Sequence, residues 1–412
     1  MAKKVAGADY SFRVKDSLIG AQMLFVAFGA LVLVPLLTGL DPNVALFTAG
    51  LGTLVFQVIT GFKVPVFLAS SFAFIPALIV GIPTFGLPGT LCGMAAAGLL
   101  YVLLSLVIKI RGPQVVDRVL PPVVTGPVIM VIGLILAPVA VFMALGKTGD
   151  GSAVLFPMWK SLVVALLSLA GTIVVSLRGK GLLRLIPILC GILVGYIASL
   201  CLGMVSFGSV VNAPWLRIPG FVFPAWNLDA VLYVLPIAIA PAIEHVGDIL
   251  AIGSISGRNY VKDPGLHRTL LGDGVATSLA AFLGGPPNTT YSEVSGAVAL
   301  TKVFNPGIMT WAAITAIALA FVGKLGGALQ TIPTPVMGGI MVLLFGAIAV
   351  VGMNSLTKVP NLMNPRNLII IAVILVLGLG TYAVTELTIK GIGLAGIAGV
   401  VLNLVLPKAK EE

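Results

Sequence analysis

Runs of some twenty residues with hardly a charge recur from one end of this chain to the other. "LIGAQMLFVAFGALVLVPLLTGL" starts at Leu18, and "PPVVTGPVIMVIGLILAPVAVFMALG" starts at Pro121. A helix needs about 20 apolar residues to cross a bilayer. Lipid offers the backbone no hydrogen-bond partner, so such runs must satisfy their own N–H and C=O groups, which favours helices. Over 412 residues the chain is 58% hydrophobic and 9% charged, against about 25% charged in a soluble domain. The expectation is an all-α polytopic membrane protein, with lipid as its surroundings.

Fourteen spans can be drawn, at 18–38, 44–61, 65–82, 87–109, 120–145, 159–177, 183–203, 229–250, 267–284, 286–302, 306–325, 332–353, 366–382 and 388–406. With the N-terminus inside and strict alternation, 19 of the 24 Lys and Arg fall on inside segments. Basic residues collect in cytoplasmic loops. This predicts a multi-pass protein of the cell membrane with both termini cytoplasmic, and it explains the net charge of +10 without nucleic acid. "MAKKVAGADYSFRVKDS" does not read as a secretory signal. Cys92, Cys190 and Cys201 lie in or beside apolar runs without metal-ligand spacing.

Two segments do not read as plain lipid-facing helices. The third span, "VPVFLASSFAFIPALIVGI", carries Ser70 and Ser71, and the tenth begins "PPNTTYSEVSG". Irregular backbone at membrane depth survives only where protein buries it or it lines a cavity. The two are seven spans apart, as equivalent elements of a 7+7 inverted repeat would be, and broken helices at such places point to a substrate site. Residues 203–228, rich in Pro and Trp, read as an ordered external connector.

Four acidic residues fall within spans eight to ten: Glu244, Asp248, Asp273 and Glu293. Each costs about 2.5–3.5 kcal/mol at a helix centre, so a group of four suggests function over packing. In "PAIEHVGDIL", Glu244 and Asp248 are one helical turn apart on one face. Two carboxylates so close in low dielectric do not ionise together readily, which is the raw material of proton coupling. His245 points elsewhere around the helix and reads as a hydrogen-bonded packing residue. Asp273 either serves the cation pathway or caps polar backbone, with the cap preferred. Glu293 stands where a helix plausibly starts. Acceptors at 244 and 293 on different elements could grip a flat molecule bearing N–H donors, with Phe72, Phe74 and Tyr291 offering ring surfaces. Asn288, Thr289 and Thr290 are expected to satisfy broken backbone. The chain carries no P-loop or other enzymatic motif, and no cofactor is implied.

The run "KDPGLHRTLLGDGVATSLAAFLGGPPNTTYSEVSGAVALTK" resembles the signature region of the nucleobase–ascorbate transporters, also called nucleobase:cation symporter-2. "FVAFGALVLVPLL", "KVPVFLASSFAF", "AIEHVGDIL" and "IPTPVMGG" extend the resemblance over most of the chain, and "GPPNTTYSE" is similar to the uracil permease branch. The resemblance implies fourteen spans in two inverted repeats of seven, with short strands in spans 3 and 10. Residues 1–118 and 229–328 would form a core domain, and 119–228 and 329–412 a gate domain. It further implies a homodimer that imports a nucleobase with a proton by an elevator motion. Carried over by position, Glu244, Glu293, Phe72 and Tyr291 would bind the base, and Asp248 and Glu244 would handle the proton.

The departures bear on substrate. Ser292 stands where uracil permeases tend to carry Gly, adding side-chain bulk where the base approaches backbone. Val294 and Ser295 depart from the family's Asn-x-Gly pattern. Asp248 takes the place of a His and is common in purine transporters, which tend to carry Gln at position 293. Met23 replaces the His of a Gln-His pair, leaving Gln22, and Phe345 takes the place of a gate-side tyrosine. Uracil is the expected substrate because its two N–H donors complement two carboxylates, and Glu at 293 lies nearest the ligand. Xanthine or urate is the alternative. An anion transporter or channel of the same fold is a weaker one, since acids occupy the place where an anion site needs positive charge.

Overall fold

Glycine and proline set where the apolar runs stop. In the computed structural model, which describes residues 9–112, 114–380 and 391–407, helix α1 (Ser17–Thr38) ends where Gly39 turns left-handed at φ 75°. Helix α2 (Pro42–Ile59) opens with Pro42 in its first turn and with Asp41 Oδ1 accepting from Asn43 N at 2.9 Å. Both signals satisfy or remove backbone donors that a helix start leaves orphaned. An extended stretch then carries strand β1 (Leu68–Ser70). Helix α3 (Ile75–Arg111) follows after a short 3-10 turn at Phe72–Phe74. Its 37 residues would reach about 55 Å if straight, well beyond a bilayer core. It is bent at Gly86 (φ 72°, ψ 164°), between Pro83 and Pro88. The parts expected as 65–82 and 87–109 are therefore strand, 3-10 turn and two runs of helix joined at Gly86.

Onward come α4 (Gln114–Val119), α5 (Pro122–Ile135), α6 (Ala137–Ala144), α7 (Met158–Arg178), α8 (Pro187–Cys201) and α9 (Gly208–Asn212). The second half holds α10 (Leu228–Val234), α11 (Ile239–Ser256), α12 (Leu266–Phe282), strand β2 (Asn288–Thr290) and α13 (Ser292–Thr301). It continues with α14 (Gly307–Ala320), α15 (Gly323–Gln330), α16 (Thr334–Leu356), α17 (Pro365–Gly380) and α18 (Ile392–Val405). The segment expected as one helix at 229–250 is α10 and α11, parted at Pro236, and it runs on to Ser256. Seven of the described helices are long and apolar enough to cross a membrane, and several shorter apolar helices stand beside them. The basic residues Lys3, Lys4, Lys390, Lys408 and Lys410 lie outside the described residues, as do the last residues of the segment expected at 366–382 and the first of that at 388–406.

The helices pack in two groups. One joins α3 to α10 and α12, α2 to α12 and α14, and α1 to α14. The other joins α16 to α5, α6 and α7, with α7 on α8, and α17 on α5 and α18. The connector before α10 is ordered by main-chain bonds to the α14–α15 junction: Arg217 N donates to Phe321 O at 2.9 Å, and Gly323 N to Trp215 O at 3.0 Å.

The two strands come from distant parts of the chain and meet antiparallel inside the first group. Leu68 faces Thr290, Ala69 faces Thr289 and Ser70 faces Asn288, all six buried. Ser71 N to Pro287 O (2.8 Å) and Tyr291 N to Phe67 O (3.2 Å) extend the ladder. So short a sheet leaves outer edges that lipid cannot satisfy, and neighbouring side chains cover them. Thr53 Oγ1 on α2 accepts from Leu68 N at 2.9 Å, and Thr277 Oγ1 on α12 donates to Asn288 O at 2.7 Å. Asn288 Nδ2 donates to Thr48 O at 2.9 Å. That last contact requires Gly52, where a Cβ would lie 2.4 Å from Asn288 Nδ2. Gly52→Val should therefore cost at least about 1–3 kcal/mol and lower the thermal midpoint of the purified protein. An unchanged midpoint would show that the strand has room to retreat.

Candidate functional site

Helix α11 carries three titratable side chains within five residues, Glu244, His245 and Asp248. Glu244 and Asp248, four residues apart, share one face. Asp248 is 5% exposed, and its Oδ2 accepts from Thr290 Oγ1 on β2 at 2.7 Å. Glu244 keeps part of its surface accessible. Thus the strand crossing and the acidic helix face are joined directly. Thr290 was expected to serve broken backbone; it serves a carboxylate instead. The physical reason is tertiary: the end of β2 packs on α11, which brings the Thr290 hydroxyl to Asp248.

Glu293 comes from a third element. Tyr291 is still extended (φ –104°, ψ 116°), and α13 begins at Ser292, so Glu293 sits in the first helical turn. Free N–H groups and the positive end of the helix dipole gather there. Glu293 and Asp248 both lie near enough to Glu244 for their charges to interact. Acidic groups of α11 and α13 are thereby brought to one place beside the strands. The Ser292 side chain lies outside the described residues.

Two aromatic rings flank this region. Phe72 and Tyr291 lie nearly parallel, with centroids 6.4 Å apart and planes 16° apart. Tyr291 is 2% exposed, and its hydroxyl donates to Ser70 O at 2.7 Å. Its ring is therefore held by a bond across the strand crossing, a function the sequence did not disclose. Tyr291 also lies close enough to Glu293 and Glu244 to sense their charge. Phe72 keeps part of its surface accessible, and Phe74 is buried. Gln22 is half-buried on α1, a helix that touches α13. Phe345 is 1% exposed on α16, in the other packing group.

Two expectations need correction. His245 was expected to be a hydrogen-bonded packing histidine. It is fully buried, but neither ring nitrogen has a hydrogen-bond partner among the described residues, and its Nδ1 lies 3.5 Å from Asp273 Oδ2. Asp273 was expected to cap polar backbone, yet neither of its oxygens bonds a backbone group there. It sits mid-helix at the third turn of α12, where the backbone N–H groups are already used in the helix. The separation of 28 positions left this contact invisible in the sequence. A cavity of about 230 Å³ adjoins Ile249, Gly253 and Tyr260, and another of about 530 Å³ lies under Tyr10 and Asn305; neither is lined by the four carboxylates.

Comparison with known proteins agrees with this architecture. The chain is 54% identical over 408 residues to the "Probable uracil permease" of Haemophilus influenzae, covering 98% of this chain and 97% of that protein. It is 46% identical to the uracil permease of Bacillus caldolyticus (94% and 91% covered) and 38% identical to that of Escherichia coli (94% and 90% covered). These relatives are named as permeases, which are transporters and not enzymes. In fold it is similar to the transmembrane domain of a cyanobacterium bicarbonate transporter, BicA, with TM-score 0.64 and 15% identity over 96% of this chain and 99% of that one. It is also similar to murine Solute Carrier 26 family member A9, with TM-score 0.66 and 13% identity over 96% and 68%. The model of a permease family matches residues 14–387. With two helical groups, a buried strand crossing and this extent of similarity, the chain is a multi-pass membrane protein that belongs to that permease family, the nucleobase–ascorbate transporters.

Proposed function

We propose that this protein carries uracil across the cell membrane together with a proton. The observation that carries the reading is the meeting of Glu244 and Glu293, from two separate helices, beside the nearly parallel rings of Phe72 and Tyr291. Uracil is flat and presents N–H donors, and ionised carboxylates only accept. Each base N–H placed against one of them makes a charge-assisted bond, and the rings provide an apolar border. The relatives that match over nearly the whole chain are named for uracil.

The proton follows from the same crowding. Glu244, Asp248 and Glu293 cannot all carry charge cheaply in a dry interior, so one proton among the set lowers its energy. Loading that proton with the base and releasing both on the other side couples the two fluxes. The protons belong to the set and not to one residue. Thr290 holds Asp248 by a 2.7 Å bond, so a change at Asp248 is felt by the strand under the base.

In this reading the first packing group is the core domain (residues 1–118 and 229–328), the second is the gate domain (119–228 and 329–412), and there are fourteen spans in a 7+7 inverted repeat. Transport is the elevator motion of core against gate, in a homodimer with both termini cytoplasmic. Phe345 closes the gate side, and Gln22 on α1 borders the substrate. The second reading is xanthine or urate transport, which Asp248 favours.

In proteoliposomes, labelled uracil should accumulate under an inward proton gradient, and a protonophore should abolish the accumulation. Accumulation of xanthine or urate but not uracil would overturn the substrate. Glu244→Ala and Glu293→Ala should each weaken uracil binding about 10–100-fold, the equivalent of about 1.5–3 kcal/mol for a charged hydrogen bond. Calorimetric titration measures this, and unchanged affinity would remove the carboxylate grip. Thr290→Val, nearly isosteric, should slow uptake about tenfold, since it removes the hydroxyl that donates to the buried Asp248 carboxylate. Wild-type rates in that variant would disconnect Asp248 from the strand.

A further inference from the structure

His245 stands about 60° round α11 from Asp248 and about 100° from Glu244, and it meets Asp273 of α12. His245 and Asp273 are both 0% exposed, and 3.5 Å separates Nδ1 from Oδ2. Both ring nitrogens and both carboxyl oxygens lack a hydrogen-bond partner among the described residues. The walls are specific. From α2, Phe56 presents its ring to the imidazole at 6.3 Å and 71°. From α3 comes Tyr101, fully buried, its hydroxyl also unpartnered and near enough to Asp273 to sense its charge. The titratable neighbours of Asp273 are thus Tyr101 on α3 with Asp248 and Glu244 on α11. Among the described residues, His245 is the one basic group within 4 Å of it.

The possible protonation states can be enumerated. With no proton the pair is a bare carboxylate in a dry interior, next to other acids. With two protons it is a bare imidazolium. Either isolated charge costs several kcal/mol. With one proton the pair has no net charge, and the proton bridges an acceptor and a donor that already stand at the edge of hydrogen-bond reach. We propose that His245 and Asp273 hold a single proton between Nδ1 and Oδ2, forming an uncharged clasp that fixes α11 to α12 and so aims Glu244 and Asp248 at the substrate site. The pair acts by positioning and does not touch the base. Its neutrality leaves the negative charge of the site to Glu244, Asp248 and Glu293. The link to the base rests on the transport reading above; the clasp itself does not, and its test needs no substrate.

The experiment follows the thermal midpoint of purified full-length protein in detergent from about pH 7 to about pH 9, relative to the His245→Leu/Asp273→Asn double variant at each pH. The double variant carries neither titratable group and so reports the pH dependence of the rest of the protein. In wild type the folded pair keeps one proton, whereas above the ordinary histidine range the unfolded chain keeps none, so stability falls as pH rises. The expected result is a wild-type midpoint that loses several degrees relative to the double variant between the two ends. His245→Leu should fall in the same way, because the lone buried Asp273 must keep a proton of its own. Asp273→Asn leaves a neutral imidazole and should keep a constant offset from the double variant. A contact between a neutral imidazole and an ionised carboxylate takes up no proton on folding, so wild type would then run parallel to the double variant, and that result overturns the clasp. A fall in Asp273→Asn as steep as that of wild type overturns it too. If His245→Leu yields no folded protein, wild type, Asp273→Asn and the double variant still decide between these outcomes.

Discussion

The absence of water from the bilayer core bears hardest on residues 64–71 and 285–291, where the chain is not helical. A helix carries its own hydrogen bonds, but two three-residue strands do not, and every outward N–H or C=O costs energy in hydrocarbon. The protein meets this by pairing the strands with each other and covering their edges with Thr53 and Thr277, while the side-chain amide of Asn288 ties β2 to the Thr48 carbonyl of α2. This explains why small and hydroxylated residues gather in α2 and α12: they lie against backbone and not against lipid. The crossing in turn lets two helices begin at membrane depth, and helix beginnings are where a buried carboxylate or ligand edge finds free N–H groups.

The acidic residues depend on that construction. Glu293 is placed by the end of β2, and Asp248 is held by a hydroxyl from the same strand. Tyr291 closes the set by donating to a carbonyl of β1. A shift of one strand would move a ring, a carboxylate and a carboxylate's donor together. In the transport reading proposed above, such a unit would pass a shift of the strands directly to the carboxylates, because the same few residues hold both.

Much of this was legible in the residues. The apolar runs required a membrane protein, and the acids at 244, 248, 273 and 293 stood out because each is costly where it lies. The pattern "NTTYSEVSG" foretold extended backbone followed by a helix start, and the helix begins at Ser292. Periodicity placed Glu244 and Asp248 on one face because the spacing of a helical turn is local. It could not place His245 against Asp273. Nor could it foretell that Gly86 would join the third and fourth segments through a bend, or that Pro236 would divide the eighth.

By itself, the sequence determined which segments are apolar, where backbone must break, and which titratable groups are carried into the interior. Those properties follow from composition and from spacing within a turn or two. Only the tertiary structure decided which broken segment pairs with which, that Thr290 serves Asp248, that the Tyr291 hydroxyl spans the crossing, and that His245 faces Asp273. These contacts join residues from 28 to more than 200 positions apart. No local propensity encodes such a pairing; it comes from packing helices so that each buried polar group meets another.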